Sequence, residues 1–134
     1  MAEAVLDASA LLAYLLDEPG AEVVDDRLVA GAAISTVNWC EVIAKVGEAG
    51  AVATERLELL VQPGGGLEEL LAITPFLRQD AERVAGLQAV TRARGLSLGD
   101  RACLALALRL GAPAVTADRA WLDLDLPVEV LGIR

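Results

Sequence analysis

The sequence predicts an α/β domain in which a parallel sheet is covered by helices on both faces. Short apolar segments of strand length alternate with Ala- and Leu-rich helical segments along the whole chain, the pattern of parallel strands joined by helical crossovers. Its 134 residues are enough for one domain with a sizeable core, and residues 1–134 are read as that single domain. Hydrophobic residues make up 55% of the chain but aromatics only 3%, so the core must close with Ala, Leu and Val, which favours tight helix–sheet contacts.

In chain order, residues 3–6 read as a first strand ending at Asp7, and residues 8–16 as a helix. Asp17-Glu18-Pro19-Gly20 stops that helix. Pro19 suits the first turn of a second helix running to about Ala30, with Gly31 ending it. Residues 32–35 are a second strand. Ser35 or Thr36 caps a helix reaching about Gly47, whose stripe of Trp39, Cys40, Ile43 and Val46 is expected to face the core. Gly47-Glu48-Ala49-Gly50 interrupts the pattern before a helix over residues 54–61. Gln62-Pro63-Gly64-Gly65-Gly66 reads as a loop too short to link domains.

Residues 70–74 form a third strand. A helix from about Arg78 to Arg94 follows, closed by Gly95 as a left-handed cap. Ser97 is the N-cap of the next helix, and Asp100, three residues on, completes a capping box. The run from Ala102 to Leu108 is apolar on every face, so this helix is expected to be buried, ending at Gly111. Residues 114–116 are a strand, residues 118–122 a helical turn and residues 128–131 a last strand.

Formal net charge is −9, which is unusual for a protein that grips nucleic acid through a basic patch and points instead to bound cations or a basic partner. Lys45 is the one lysine among eleven basic residues. The chain has no histidine, which excludes Ser-His-Asp and Cys-His catalysis and His-ligated zinc. Cys40 and Cys103 sit in apolar helical stretches and read as buried, reduced thiols. The N-terminus carries Glu3 and Asp7 rather than a basic leader, and apolar runs such as residues 8–16 are too short to span a bilayer, so a cytoplasmic protein without a membrane partner is expected.

In parallel sheets, sites form outside the C-terminal ends of the strands. Four carboxylates fall on that rim: Asp7, Glu41, Asp100 and Asp118. Each has a simpler reading by itself. Asp7, Asp100 and Asp118 suit helix caps; Glu41, opposite the Trp39/Ile43 stripe with Lys45 one turn on, suits a solvated ion pair. Gathered at one edge, however, carboxylates repel each other unless a cation sits among them. Oxygen-only donors select Mg²⁺ or Mn²⁺, the equipment of two-metal phosphodiester hydrolysis.

The segments around these acids, Val5-Leu6-Asp7-Ala8-Ser9-Ala10-Leu11-Leu12, Ser35-Thr36-Val37-Asn38-Trp39-Cys40-Glu41-Val42, Leu96-Ser97-Leu98-Gly99-Asp100-Arg101-Ala102-Cys103 and Val115-Thr116-Ala117-Asp118-Arg119-Ala120-Trp121, together resemble the four acidic motifs of PIN-domain proteins, most similarly the VapC-type toxins of bacterial toxin–antitoxin pairs. The resemblance implies a three-layer α/β/α sandwich and a Mg²⁺- or Mn²⁺-dependent endoribonuclease, with Asp7, Glu41, Asp100 and Asp118 around the metal. It implies hydroxyls near that site at Ser9 and Thr116. It also implies a homodimer inhibited by a VapB-type antitoxin, a basic partner that suits the −9 charge. Arg101 and Arg119, beside the acids, are candidate contacts for the RNA phosphate. The Gly64–Gly66 run matches no family role.

Two other readings compete. A haloacid-dehalogenase-like phosphatase also starts with an Asp after strand one, but it wants a second Asp where this chain has Ser9, and a late lysine where it has none; a receiver domain fails in the same way. A non-catalytic PIN-fold binding module would have no need of all four acids.

Overall fold

The computed structural model describes residues 2–61 and 70–134. Its strands are β1 (Ala4–Leu6), β2 (Ala32–Ser35), β3 (Leu71–Thr74), β4 (Ala114–Thr116) and β5 (Val130–Gly132). They form one sheet in the order β3-β2-β1-β4-β5, parallel at every pairing. The helices are α1 (Ala8–Leu15), α2 (Ala21–Ala30), α3 (Thr36–Ala49), α4 (Ala51–Val61), α5 (Arg78–Thr91) and α6 (Leu98–Leu110), with 3-10 turns at Arg92–Arg94 and Arg119–Asp123.

Alternating strand residues point to opposite faces, and the core divides accordingly. Leu6, Ile34 and Val115 pack with residues of α1 to α4. Their neighbours Val5, Ala33 and Ala114 pack with α5, α6 and Trp121. This is the expected α/β/α sandwich. Helix α6 runs through the second layer with every residue from Ala102 to Ala107 buried, as its uniformly apolar sequence requires.

The strand order fixes where a site can form. From central β1 the chain winds outward through β2 and β3, then returns to lay β4 and β5 on the other side of β1. The crevice beyond the C-terminal ends of β1 and β4 is therefore the topological switch point, where α/β sheets bind ligands.

Several local expectations are corrected. Helix α2 begins at Ala21 behind a left-handed Gly20, with φ +96°, so Pro19 precedes the helix instead of opening it. Helix α3 continues to Ala49, and Gly50 ends it. Its buried face is Asn38, Val42 and Val46, while Ile43 is 48% exposed and Cys40 is exposed. The physical reason is that the inward position in its first turn belongs to a polar residue, Asn38, so an apolar stripe drawn through Trp39 and Ile43 is turned too far around the helix. The long helix after β3 tightens to 3-10 geometry over Arg92–Arg94 before the left-handed Gly95. The loop expected over residues 62–66 lies outside the described residues. Among those described, no helix is long and apolar enough to cross a membrane.

Candidate active site

Asp7 leaves the end of β1 and caps α1, its Oδ1 accepting a 2.8 Å hydrogen bond from the Ala10 amide. Ser9 Oγ lies 2.7 Å and 2.9 Å from its two carboxylate oxygens. From the end of β4, Thr116 Oγ1 donates to Asp7 Oδ2 at 2.6 Å. Both hydroxyls are themselves held by backbone amides: Ala117 N donates to Ser9 Oγ and Asp118 N to Thr116 Oγ1, each at 3.0 Å. The switch point is thus laced shut across its floor, with Asp7 at the centre and only 3% exposed.

Those donors favour the charged carboxylate, but burial outweighs them. The Asp7 pKa is pushed up to about 6, first by desolvation and further by the charge of Asp100. Asp100 stands in the first turn of α6. Its Oδ2 accepts from Ser97 N at 2.8 Å while Ser97 Oγ accepts from Asp100 N at 3.1 Å, the reciprocal capping box. Asp118 caps the 3-10 turn after β4, Oδ1 accepting from Ala120 N at 2.9 Å. In both residues the second carboxylate oxygen has no hydrogen bond among the described residues.

Glu41 comes from α3. Its Oε1 accepts from Asn38 Nδ2 at 3.2 Å, and Asn38 Nδ2 also donates to Gly99 O at 2.9 Å. Partial burial and then the charge of Asp100 hold its carboxyl above the ordinary value. Among the described residues it makes no ion pair with Lys45 or any other base, so the surface pair suggested by sequence does not form. Burial, reinforced by the charges of Asp7, Asp100 and Glu41, also pushes the Cys103 thiol well up, leaving a neutral thiol beneath the site.

Asp7, Glu41, Asp100 and Asp118 line one cavity of about 240 Å³, together with Ser9 and Lys45. Thr116 lies in its floor through the bond to Asp7. Arg101 and Arg119 are not brought into it. Arg101 Nη1 donates to Val84 O of α5, and Arg119 Nε donates to Arg134 O. Lys45 is instead the basic residue on the cavity wall, a role its i,i+4 spacing to Glu41 masked. Asn38 is the other residue that sequence reasoning missed; its signal was a polar side chain three residues before the acid.

The donor set fits a hard divalent cation: it is all oxygen, anionic and unpaired with arginine or lysine among the described residues. No three acidic side chains among those residues are gathered tightly enough to grip an ion directly. A cation held by Asp7, Glu41, Asp100 and Asp118 would therefore keep waters between itself and some of these carboxylates.

The sequence pattern of the PIN domain matches residues 4–126. No curated protein matches the chain in sequence. Among solved structures, FitAcB from Neisseria gonorrhoeae is similar over 97% of this chain and 97% of its own, with a TM-score of 0.70 at 20% identity. VapBC2 from Rickettsia felis, bound to a DNA fragment from its promoter, is similar over 96% of this chain and 97% of its own, with a TM-score of 0.73 at 15% identity. For VapBC-5 from Mycobacterium tuberculosis, a toxin–antitoxin family member, the shares are 97% and 98%, the TM-score 0.64 and the identity 23%. At such identities the likeness is one of fold.

Proposed function

The chain belongs to the PIN domain family, and on that premise we propose that it is a metal-dependent endoribonuclease, the toxin of a VapBC-type pair. The observation that carries the reading is the convergence of four carboxylates from four separate chain segments on one cavity at the switch point, with buried Asp7 in no ion pair among the described residues. Family membership sets aside the phosphatase reading.

Asp7, Asp100 and Asp118, with Glu41 completing the set, would hold Mg²⁺ or Mn²⁺. When bound, the ion supplies Lewis-acid chemistry to phosphodiester hydrolysis. Ser9 and Thr116 donate to Asp7 and keep its carboxylate oriented and available to a cation. Lys45, at the wall, contacts a phosphate of the incoming RNA, a task for which Arg101 and Arg119 are turned away. No imidazole is present to draw a proton from a ribose 2′-hydroxyl, so water attack is favoured and the products carry 5′-phosphate and 3′-hydroxyl ends.

The partner reading rests on neighbours whose own descriptions name toxin–antitoxin systems, and on the −9 charge, which a basic antitoxin segment complements. A groove of about 390 Å³ shares Ser9, Leu12 and Lys45 with the acid cavity and reaches Arg134, a path by which such a segment arrives at the acids. We take the active form to be a cytoplasmic homodimer, as in the resemblance above.

The test is cleavage of a pool of cellular RNA by antitoxin-free protein with Mg²⁺ or Mn²⁺, against Asp7→Asn and an EDTA control. Cuts bearing 5′-phosphates, lost in both controls, are expected. Folded, metal-supplied protein that binds an antitoxin yet leaves all RNA intact would identify a binding module instead.

A further inference from the structure

Asn38 is 1% exposed in the first turn of α3. Its amide nitrogen has two protons, and both acceptors it meets belong to the site: the carbonyl of Gly99, one residue before Asp100, and Oε1 of Glu41. Turning the amide over would set its oxygen against a carbonyl and a carboxylate, so its orientation is fixed. The cost is visible on the other side, where Oδ1 is buried with no hydrogen-bond partner. A leucine would fill this inward position without leaving a buried acceptor unpaired. Gly99 makes a complementary provision. A Cβ at residue 99 would collide with the Glu41 carboxylate, and Gly99 has no positive φ to require glycine on backbone grounds.

We propose that Asn38 and Gly99 form a seat for Glu41, the one donating to its carboxylate and the other leaving the space it occupies, so that Asn38 is a positioning residue tying Glu41 to the first turn of α6 and to Asp100. The inference rests on the reading of Glu41 as part of a cation site. Glu41 is otherwise an exposed residue on a helix with a long, rotatable side chain, and among the described residues the Asn38 hydrogen bond and the space at Gly99 hold it over the cavity. Helix α3 and helix α6 are far apart in sequence, so the seat sets the distance between acids that no local spacing specifies.

Gly99→Ala is the discriminating variant. The collision is with the far end of a flexible side chain, so the carboxylate swings away while alanine favours the helix, and folding is kept. Mn²⁺ affinity measured by calorimetry is expected to fall about 10- to 100-fold, the usual cost of losing a residue that orients a ligand, with the melting temperature unchanged or raised. Asn38→Leu should lower affinity to a similar degree. Placed in a Glu41→Ala background, Gly99→Ala should not lower affinity further, because it acts through Glu41. Wild-type affinity in Gly99→Ala where Glu41→Ala is impaired would overturn the seat, as would a loss that persists in the Glu41→Ala background. Wild-type protein that takes up no Mn²⁺ would instead overturn the site reading beneath it.

Discussion

Three of the four acids serve helix or turn starts and line the cavity at once. Asp7, Asp100 and Asp118 each accept a backbone amide at a helix or turn start, so the cap reading of the sequence is correct geometry and does not compete with a functional one. The acid that costs most is Asp7. Its value near 6 lies above the ordinary 3.8, so the native state binds the extra proton between those values, and the metal-free protein loses stability as pH rises through that window. Asp7→Asn keeps the cap, removes the buried charge and is expected to raise metal-free stability at pH 7 by up to about 3 kcal/mol, read by denaturant unfolding, while abolishing cleavage. Lys45→Ala is expected to raise KM several-fold at unchanged kcat, the signature of lost substrate binding. Asp7, Asp100 and Asp118 were legible because strand ends and caps leave sequence signals. Asn38, Gly99 and the orientation of Arg101 were not, because each is set by a partner from a distant segment.

At the scale of elements, the second helical layer adds to its apolar packing an ion pair that the sequence does not advertise. Arg109 of α6 places Nε and Nη2 each 3.0 Å from the two oxygens of Asp80 in α5, and Asp80 also accepts from Leu77 N at 2.9 Å. Asp80 is 2% exposed. Asp80→Ala removes the partner of Arg109 and the acceptor of the Leu77 amide, while the part-exposed guanidinium keeps Pro75 O, and is expected to cost about 1–3 kcal/mol in chemical unfolding. At the other layer, Gly20 sits at φ +96° with the Ile133 carbonyl 2.7 Å from where a Cβ would be. Gly20→Ala is therefore expected to lower the melting temperature, since both backbone and space are refused. The elements themselves were readable wherever caps and apolar runs agreed, as in β2, α6 and β4. Reading failed in α3, where the buried face carries a polar residue, Asn38, bonded to Glu41 and to Gly99 of α6.

At the scale of the whole molecule, the fold brings the acids together through chain order. Winding β2 and β3 to one side of β1, and β4 and β5 to the other, leaves a crevice at the C-terminal ends of β1 and β4; Asp7 and Asp118 follow from the strands, and α3 and α6 bring the other two. A strand-helix alternation is enough to foresee such a sheet and its rim of acids, but not the distances across it, which depend on how helices seat against each other. The cavity concentrates negative charge in a protein already at −9, so cation binding should be linked to stability. Mn²⁺ is expected to raise the melting temperature more at pH 7.5 than at pH 5, because below about 6 Asp7 holds a proton that the ion must displace.

The acid cavity as a cation-binding centre is tested most directly by anomalous diffraction from crystals of Mn²⁺-loaded protein. A Mn²⁺ peak within coordinating distance of Asp7, and of Asp100 or Asp118 beside it, is the expected result. Saturated crystals with no peak in that cavity, or with Mn²⁺ bound only elsewhere on the surface, would contradict it.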